Sequence, residues 1–119
     1  MRFEARDLKP YAEPIPAEDL KEGEIYFSLN YFDDDMLIPM LEPLFFVGRN
    51  LEPGDVDQVY FQDVYSYREG VRYDSEGVEY KANFYAGAEK EMGHIFEFEN
   101  ALELLLKCSL RRQKKLRKQ

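Results

Sequence analysis

Glu24-Ile25-Tyr26-Phe27-Ser28-Leu29-Asn30-Tyr31-Phe32 is the stretch whose reading decides the fold. Side chains along a strand point alternately to opposite faces, so odd and even positions are read separately. The odd set, Ile25, Phe27, Leu29 and Tyr31, is apolar and suits a core. The even set, Tyr26, Ser28, Asn30 and Phe32, is mixed and predicts an outer face carrying two aromatic rings. The same tyrosine–phenylalanine adjacency returns at Tyr60-Phe61 and Phe84-Tyr85. Around Val59 to Tyr65, the period turns Val59, Phe61 and Tyr65 inward and Tyr60, Gln62 and Ser66 outward, with Asp63 an exception that a bulge or a sheet edge would relieve. Around Val78 to Ala86, it turns Val78, Tyr80, Ala82, Phe84 and Ala86 inward and Lys81, Asn83 and Tyr85 outward. Three strands thus predict phenylalanine inside and tyrosine outside, where a ring covers apolar surface and its hydroxyl stays wet.

A chain of 119 residues is long enough for one core and too short for two. Hydrophobic residues make up 45%, too many for a disordered segment. No run of eighteen apolar residues occurs, and Arg2, Glu4, Arg6 and Asp7 break any leader-like stretch at the start. The single cysteine, Cys108, excludes an internal disulfide and fits a reducing compartment, so the expected location is cytoplasmic. The net charge of −8 hides a split, because residues 107–119 carry seven basic groups and no acidic one. The acidic body repels phosphate backbones and argues against nucleic acid as a general partner, leaving the basic tail as the one segment suited to it.

In chain order, residues 1–22 form an arm with Pro10, Pro14 and Pro16, whose spacing favours an extended path, and with Phe3, Tyr11 and Ile15 as candidate anchors. Residues 23–98 hold the strands. Asp33-Asp34-Asp35 ends the first and Met36-Leu37-Ile38 returns. Pro39 and Pro43 interrupt the next stretch, so that Leu44–Gly48 reads as a separate or bent strand. Pro53-Gly54, Arg68-Glu69-Gly70 and Asp74-Ser75-Glu76-Gly77 read as loops and turns, Gly87–Gly93 as a loop, and Ile95–Phe98 as a last short strand. Residues 99–119 are an amphipathic helix, from about Glu99 to about Lys115, with a basic end that complements the helix dipole. At 100° per residue, Phe98, Ala101, Leu102, Leu105 and Ser109 form its apolar stripe, with Leu106 and Cys108 on the flanks. Leu104 and Leu110 fall outside that stripe, and the polar face of Asn100, Glu103, Lys107 and Arg111 is narrow. So wide an apolar arc predicts a groove or a second surface against the helix.

The expected class is therefore mainly β, a β-rich α+β chain: a small, strongly bent antiparallel sheet or barrel of five to six strands with one C-terminal α-helix. In strand spacing it resembles an SH3-like or Tudor-like barrel. An open α+β sheet covered by the helix is the alternative.

No catalytic, cofactor or metal motif stands out. His94 is the only histidine, with Ser66, Ser75 and Asp74 as loosely eligible partners, and no nucleophile elbow accompanies it. Asp33-Asp34-Asp35 offers oxygen ligands, but adjacent aspartates on an extended chain point apart, and a solvated turn is the simpler reading. Cys108 has no second cysteine and reads as an inert thiol. Two features remain. The aromatics Tyr26, Phe32, Tyr60 and Tyr85, with Leu104 and Leu110 of the helix, form a candidate interaction surface for another protein or a second copy of the chain. The tail residues Arg111, Arg112, Lys114, Lys115, Arg117 and Lys118 form a candidate anion-binding segment, without the stacking aromatics usual in single-strand RNA readers. The expectation is a non-enzymatic interaction or adaptor domain, homodimeric in one form. A nucleic-acid accessory domain is the second expectation, and an enzyme built on His94 the third.

Overall fold

The computed structural model describes residues 13–75 and 82–117. A 3-10 turn at Ala17–Asp19 leads into strand β1 (Ile25–Tyr31), followed by β2 (Pro39–Arg49), β3 (Gln58–Asp63) and a short helix α1 (Val64–Arg68). After β4 (Phe84–Ala88) come a 3-10 turn at Glu89–Glu91, β5 (Ile95–Phe96) and the long helix α2 (Phe98–Arg117). The strands make one antiparallel sheet in the order β4-β3-β2-β1-β5. β4 and β5 are its two edges and do not pair with each other, so the barrel is not closed. The expected inward residues Val78 and Tyr80, and the expected anchors Phe3 and Tyr11, lie outside the described residues.

Pro39 and Pro43 do not break β2, which runs unbroken through both. The register explains this. Phe32 N–H bonds to Ile38 O at 3.0 Å and Phe46 N–H to Glu24 O at 3.0 Å, which fixes the alternation of bonded and non-bonded pairs between β1 and β2. Tyr31↔Pro39 and Phe27↔Pro43 are non-bonded pairs, so each proline nitrogen points away from β1. On that side β3 begins to pair only at Leu44, and neither proline removes a ladder bond. At the other end of β2 a bulge between Phe46 and Gly48 shifts the register. Gly48 has φ 155°, and a Cβ there would meet Leu51 Cδ2 at 2.9 Å.

Both faces of the sheet are covered, which overturns the expected division into inner and outer sets. On the first face Tyr26 pairs beside Leu44 and Phe46 beside Phe61, and these pack with Ile15, Leu20, Val59, Met92 and Ile95. Ile15 also donates its backbone N–H to Ile95 O at 2.9 Å, which ties the incoming chain to β5. On the second face Leu29 and Phe96 pack with Ala101 of α2, and Phe27, Tyr31, Leu104 and Leu105 close around them. Helix α1 covers another part of this face, where Tyr67 stacks on Phe45 with centroids 4.0 Å apart.

Tyr26 is thus a core residue, and its hydroxyl accepts the Lys21 backbone N–H at 2.9 Å. Tyr60 is also buried, its hydroxyl donating to Asp55 and its ring against Tyr73. A tyrosine can face inward wherever a local group takes up its hydroxyl, and here two of the three expected outward tyrosines do so.

β3 ends earlier than expected, and the odd position Asp63 is the reason. Its carboxylate accepts Ser66 N–H at 2.9 Å and the Ser66 hydroxyl at 2.6 Å, capping α1. It also accepts Asn83 N–H at 2.8 Å, so the same group anchors the start of β4. Tyr65, expected inside, is carried outward by the first turn of α1 and is exposed.

Candidate functional site

Helix α2 crosses the second face beside β1, and its ends are fixed by different chemistry. At the N-terminal end the ring of Phe98 stands edge-on to Phe27, centroids 4.6 Å apart. At the C-terminal end Arg111 donates to Met36 O from Nε at 3.0 Å and from Nη2 at 2.8 Å, and reaches the Tyr31 hydroxyl at 3.2 Å. Arg112 donates to Leu37 O at 3.0 Å, and Lys115 lies 3.7 Å from Asp35. Met36 has φ 57°, and that turn exposes its carbonyl to the guanidinium. Asp33 closes the same turn, accepting Leu37 N–H at 3.0 Å and Ile38 N–H at 2.8 Å. Burial works to raise the Asp33 carboxyl, but these backbone donors and the charge of Lys115 outweigh it and hold it below the usual range. The triple aspartate is thus a turn-closing group tied to the helix. Among the described residues no cluster of His, Cys, Asp and Glu could hold a metal ion.

This anchoring rotates the helix relative to the expected stripe. The residues on the sheet are Ala101, Leu104, Leu105 and Cys108, with Arg111 on the same side. Leu104, expected at the outer surface, packs against the Leu29–Phe96 cluster. Phe98 and Leu102, expected within the buried stripe, are 63% and 48% exposed. Leu106 at 44% and Leu110 at 51% continue the same line. Phe98, Leu102, Leu106 and Leu110 are spaced four apart, so they form one exposed ridge that starts beside the sheet, where Phe98 meets Phe27, and continues along the outer side of the helix. Beside this ridge lies a mostly apolar groove of about 270 Å³, lined by Phe27 and Leu41 of the sheet and by Phe98, Glu99, Ala101, Leu102 and Leu105 of α2.

The other expected site residues are scattered. Phe32 is exposed at the β1–β2 turn. Tyr85 is exposed on the opposite face of the sheet, its hydroxyl donating to Glu42 at 3.3 Å. Burial, then the nearby Glu42 charge and this bond, raise the Tyr85 phenol above its ordinary pKa. Tyr26, Tyr60 and Tyr85 therefore do not converge on one surface. Of the basic tail, Arg111, Arg112 and Lys115 are bound to the β1–β2 turn, and Lys114 is exposed. The side chain of Arg117 and residue Lys118 lie outside the described residues. His94 lines a cleft of about 190 Å³ with Ser28, Glu42 and Tyr85, whereas Ser66 is committed to the α1 cap and Ser75 accepts Arg72 N–H at 2.8 Å.

Helical periodicity alone does not reveal the groove and ridge, because it centres the buried stripe on the side that carries Phe98 and Leu102. Ala101 belongs to both the expected and the observed buried side, so no local signal in the helix separates the two rotations. No described helix is long and apolar enough to cross a membrane. Compared with family models, curated proteins and solved structures, the chain has no match.

Proposed function

We propose that the chain is a non-enzymatic protein-interaction domain whose contact surface is the outer ridge of α2 with the groove beside it. The observation that carries this reading is the line Phe98, Leu102, Leu106, Leu110, four large apolar side chains each at least 44% exposed on one helix. A contiguous apolar surface of this kind, bordered by charge, is the composition of a protein contact. The scaffold beneath it is an SH3-like, partly open barrel in this reading. The order β4-β3-β2-β1-β5, with the 3-10 turn Glu89–Glu91 between β4 and the short last strand, supports that assignment. A cytoplasmic location belongs to the same reading, supported by the free thiol of Cys108.

The test is affinity capture from cell extract with the wild-type chain and with Leu102→Glu/Leu106→Glu. Because both leucines point away from the sheet, the double variant is expected to keep its circular dichroism spectrum and lose the captured protein, including any captured copy of itself. Identical capture by both chains would remove the ridge as the contact surface.

A further inference from the structure

We infer that the occupant of this surface is a second copy of the chain, its α2 lying antiparallel to the first about a twofold axis between Leu102 and Leu106. The inference deepens the interaction reading above and rests on it. Three features of α2 support it.

The first is the spacing of the ridge. A twofold axis makes every contact reciprocal, so residue i meets j and j meets i. Centring the axis midway along Phe98, Leu102, Leu106 and Leu110 sets Phe98 against the second copy's Leu110, and Leu102 against the second copy's Leu106. No side chain of the ridge is left without an apolar counterpart.

The second is the groove. It lies beside the first half of the ridge, its lining running from Phe98 to Leu105 on the helix and including Phe27 and Leu41 of the sheet. In the antiparallel arrangement the second half of the other helix passes over it, bringing Leu106 toward the hollow. The same operation fills the second copy's groove. The surface therefore carries both a hollow and, four residues along the same ridge from Leu102, the apolar side chain of Leu106.

The third is charge. Glu97 and Glu99 are exposed at the N-terminal end of α2 and Lys114 at its C-terminal end, next to Arg112, whose charge is not offset by the neutral Leu37 carbonyl it donates to. Antiparallel pairing brings each acidic end beside a basic end, twice per dimer, and opposes the two helix dipoles. Parallel pairing would bring acid to acid and base to base. The charges select the orientation while the leucines supply the contact.

The contact is small, so the dimer is expected to form and dissociate within the range of about 1 μM to about 1 mM protein. Sedimentation equilibrium of the full chain across that range is expected to show a monomer–dimer equilibrium. Leu106→Glu should weaken it by at least about a hundredfold, because each copy would bring a charge into the other's groove. Leu106→Met, which keeps an apolar chain of similar size, should retain it. Orientation is read by oxidation in a Cys108→Ser background. A mixture of Phe98→Cys and Leu110→Cys chains should cross-link to each other, and Phe98→Cys alone should not cross-link to itself. A dimer that links through Phe98→Cys with itself overturns the antiparallel arrangement. A chain that stays monomeric throughout, yet captures another protein through Leu102 and Leu106, overturns self-pairing and leaves the interaction role standing. Failure of both dimerisation and capture overturns both.

Discussion

At Asp63 one carboxylate ends a strand, caps α1 and receives the backbone of Asn83. Burial pushes this carboxyl up, but the Ser66 hydroxyl and the backbone N–H groups of Ser66, Asn83 and Asp63 itself outweigh it and hold the pKa below the ordinary 3.8. A carboxyl depressed in the folded state contributes stability above its unfolded pKa and loses it as pH falls through the lower folded value. Asp63→Ala is therefore expected to lower stability by about 1–3 kcal/mol at neutral pH, from the lost cap and the orphaned donors. Urea midpoints of wild type and variant should converge once the pH has dropped well below 3.8. A gap that persists at low pH would mean that the carboxylate's charge is not what matters at this position. In the sequence Asp63 is visible only as a misfit in an alternating strand. The misfit is real, and its cause is a helix start too short to show a period of its own.

The element that carries the proposed contact surface is α2, and its position is set from its basic end. Arg111 makes two bonds to one carbonyl and lies with its guanidinium 5.4 Å from the Tyr31 ring centroid. Arg111→Ala should free both the last turns of the helix and the Met36–Leu37 turn, raising amide exchange in those two segments and leaving β3 and β4 unchanged. Lys115→Ala should do far less, since its partner Asp35 is 3.7 Å away and both groups are exposed. Equal effects of the two variants would show that charge, and not the carbonyl bonds, docks the helix. The sequence locates this helix to within two residues at either end, because its length and charge gradient are strong local signals. It does not yield the rotation. Periodicity reports how an apolar arc is distributed around a helix, whereas the facing side is chosen by partners elsewhere in the chain: here the carbonyl of Met36 and the ring of Phe27.

For the whole molecule, the decisive fact is a sheet covered on both faces. Alternation along β1 is legible and correct as a strand signal, and it places the residues on two faces. It cannot say that Ile15, Leu20 and Met92 close the first face while α2 and α1 close the second. Tyr26 departs from its expected outer place for that reason alone. The same two-layer cover separates neighbouring leucines by consequence: Leu104→Ala opens a space over Leu29 and Phe96, at about 2–4 kcal/mol, whereas Leu106→Ala removes a side chain from the outer ridge. Thermal melts followed by circular dichroism should show a clear loss for the first and little change for the second. The reverse ranking would place the wrong side of α2 on the sheet.

The register of β2 has one more consequence. Pro39, Leu41 and Pro43 are the positions whose backbone faces the side that β3 does not reach, and only Leu41 has a hydrogen to offer there. An incoming strand would find acceptors with almost no donors, so this stretch is a poor template for cross-β growth. The prolines leave this stretch of β2, which lies beside the groove through Leu41, to be recognised by its side chains and not by its backbone. An apolar ridge beside such a stretch is exposed without an adjoining backbone template for strand addition.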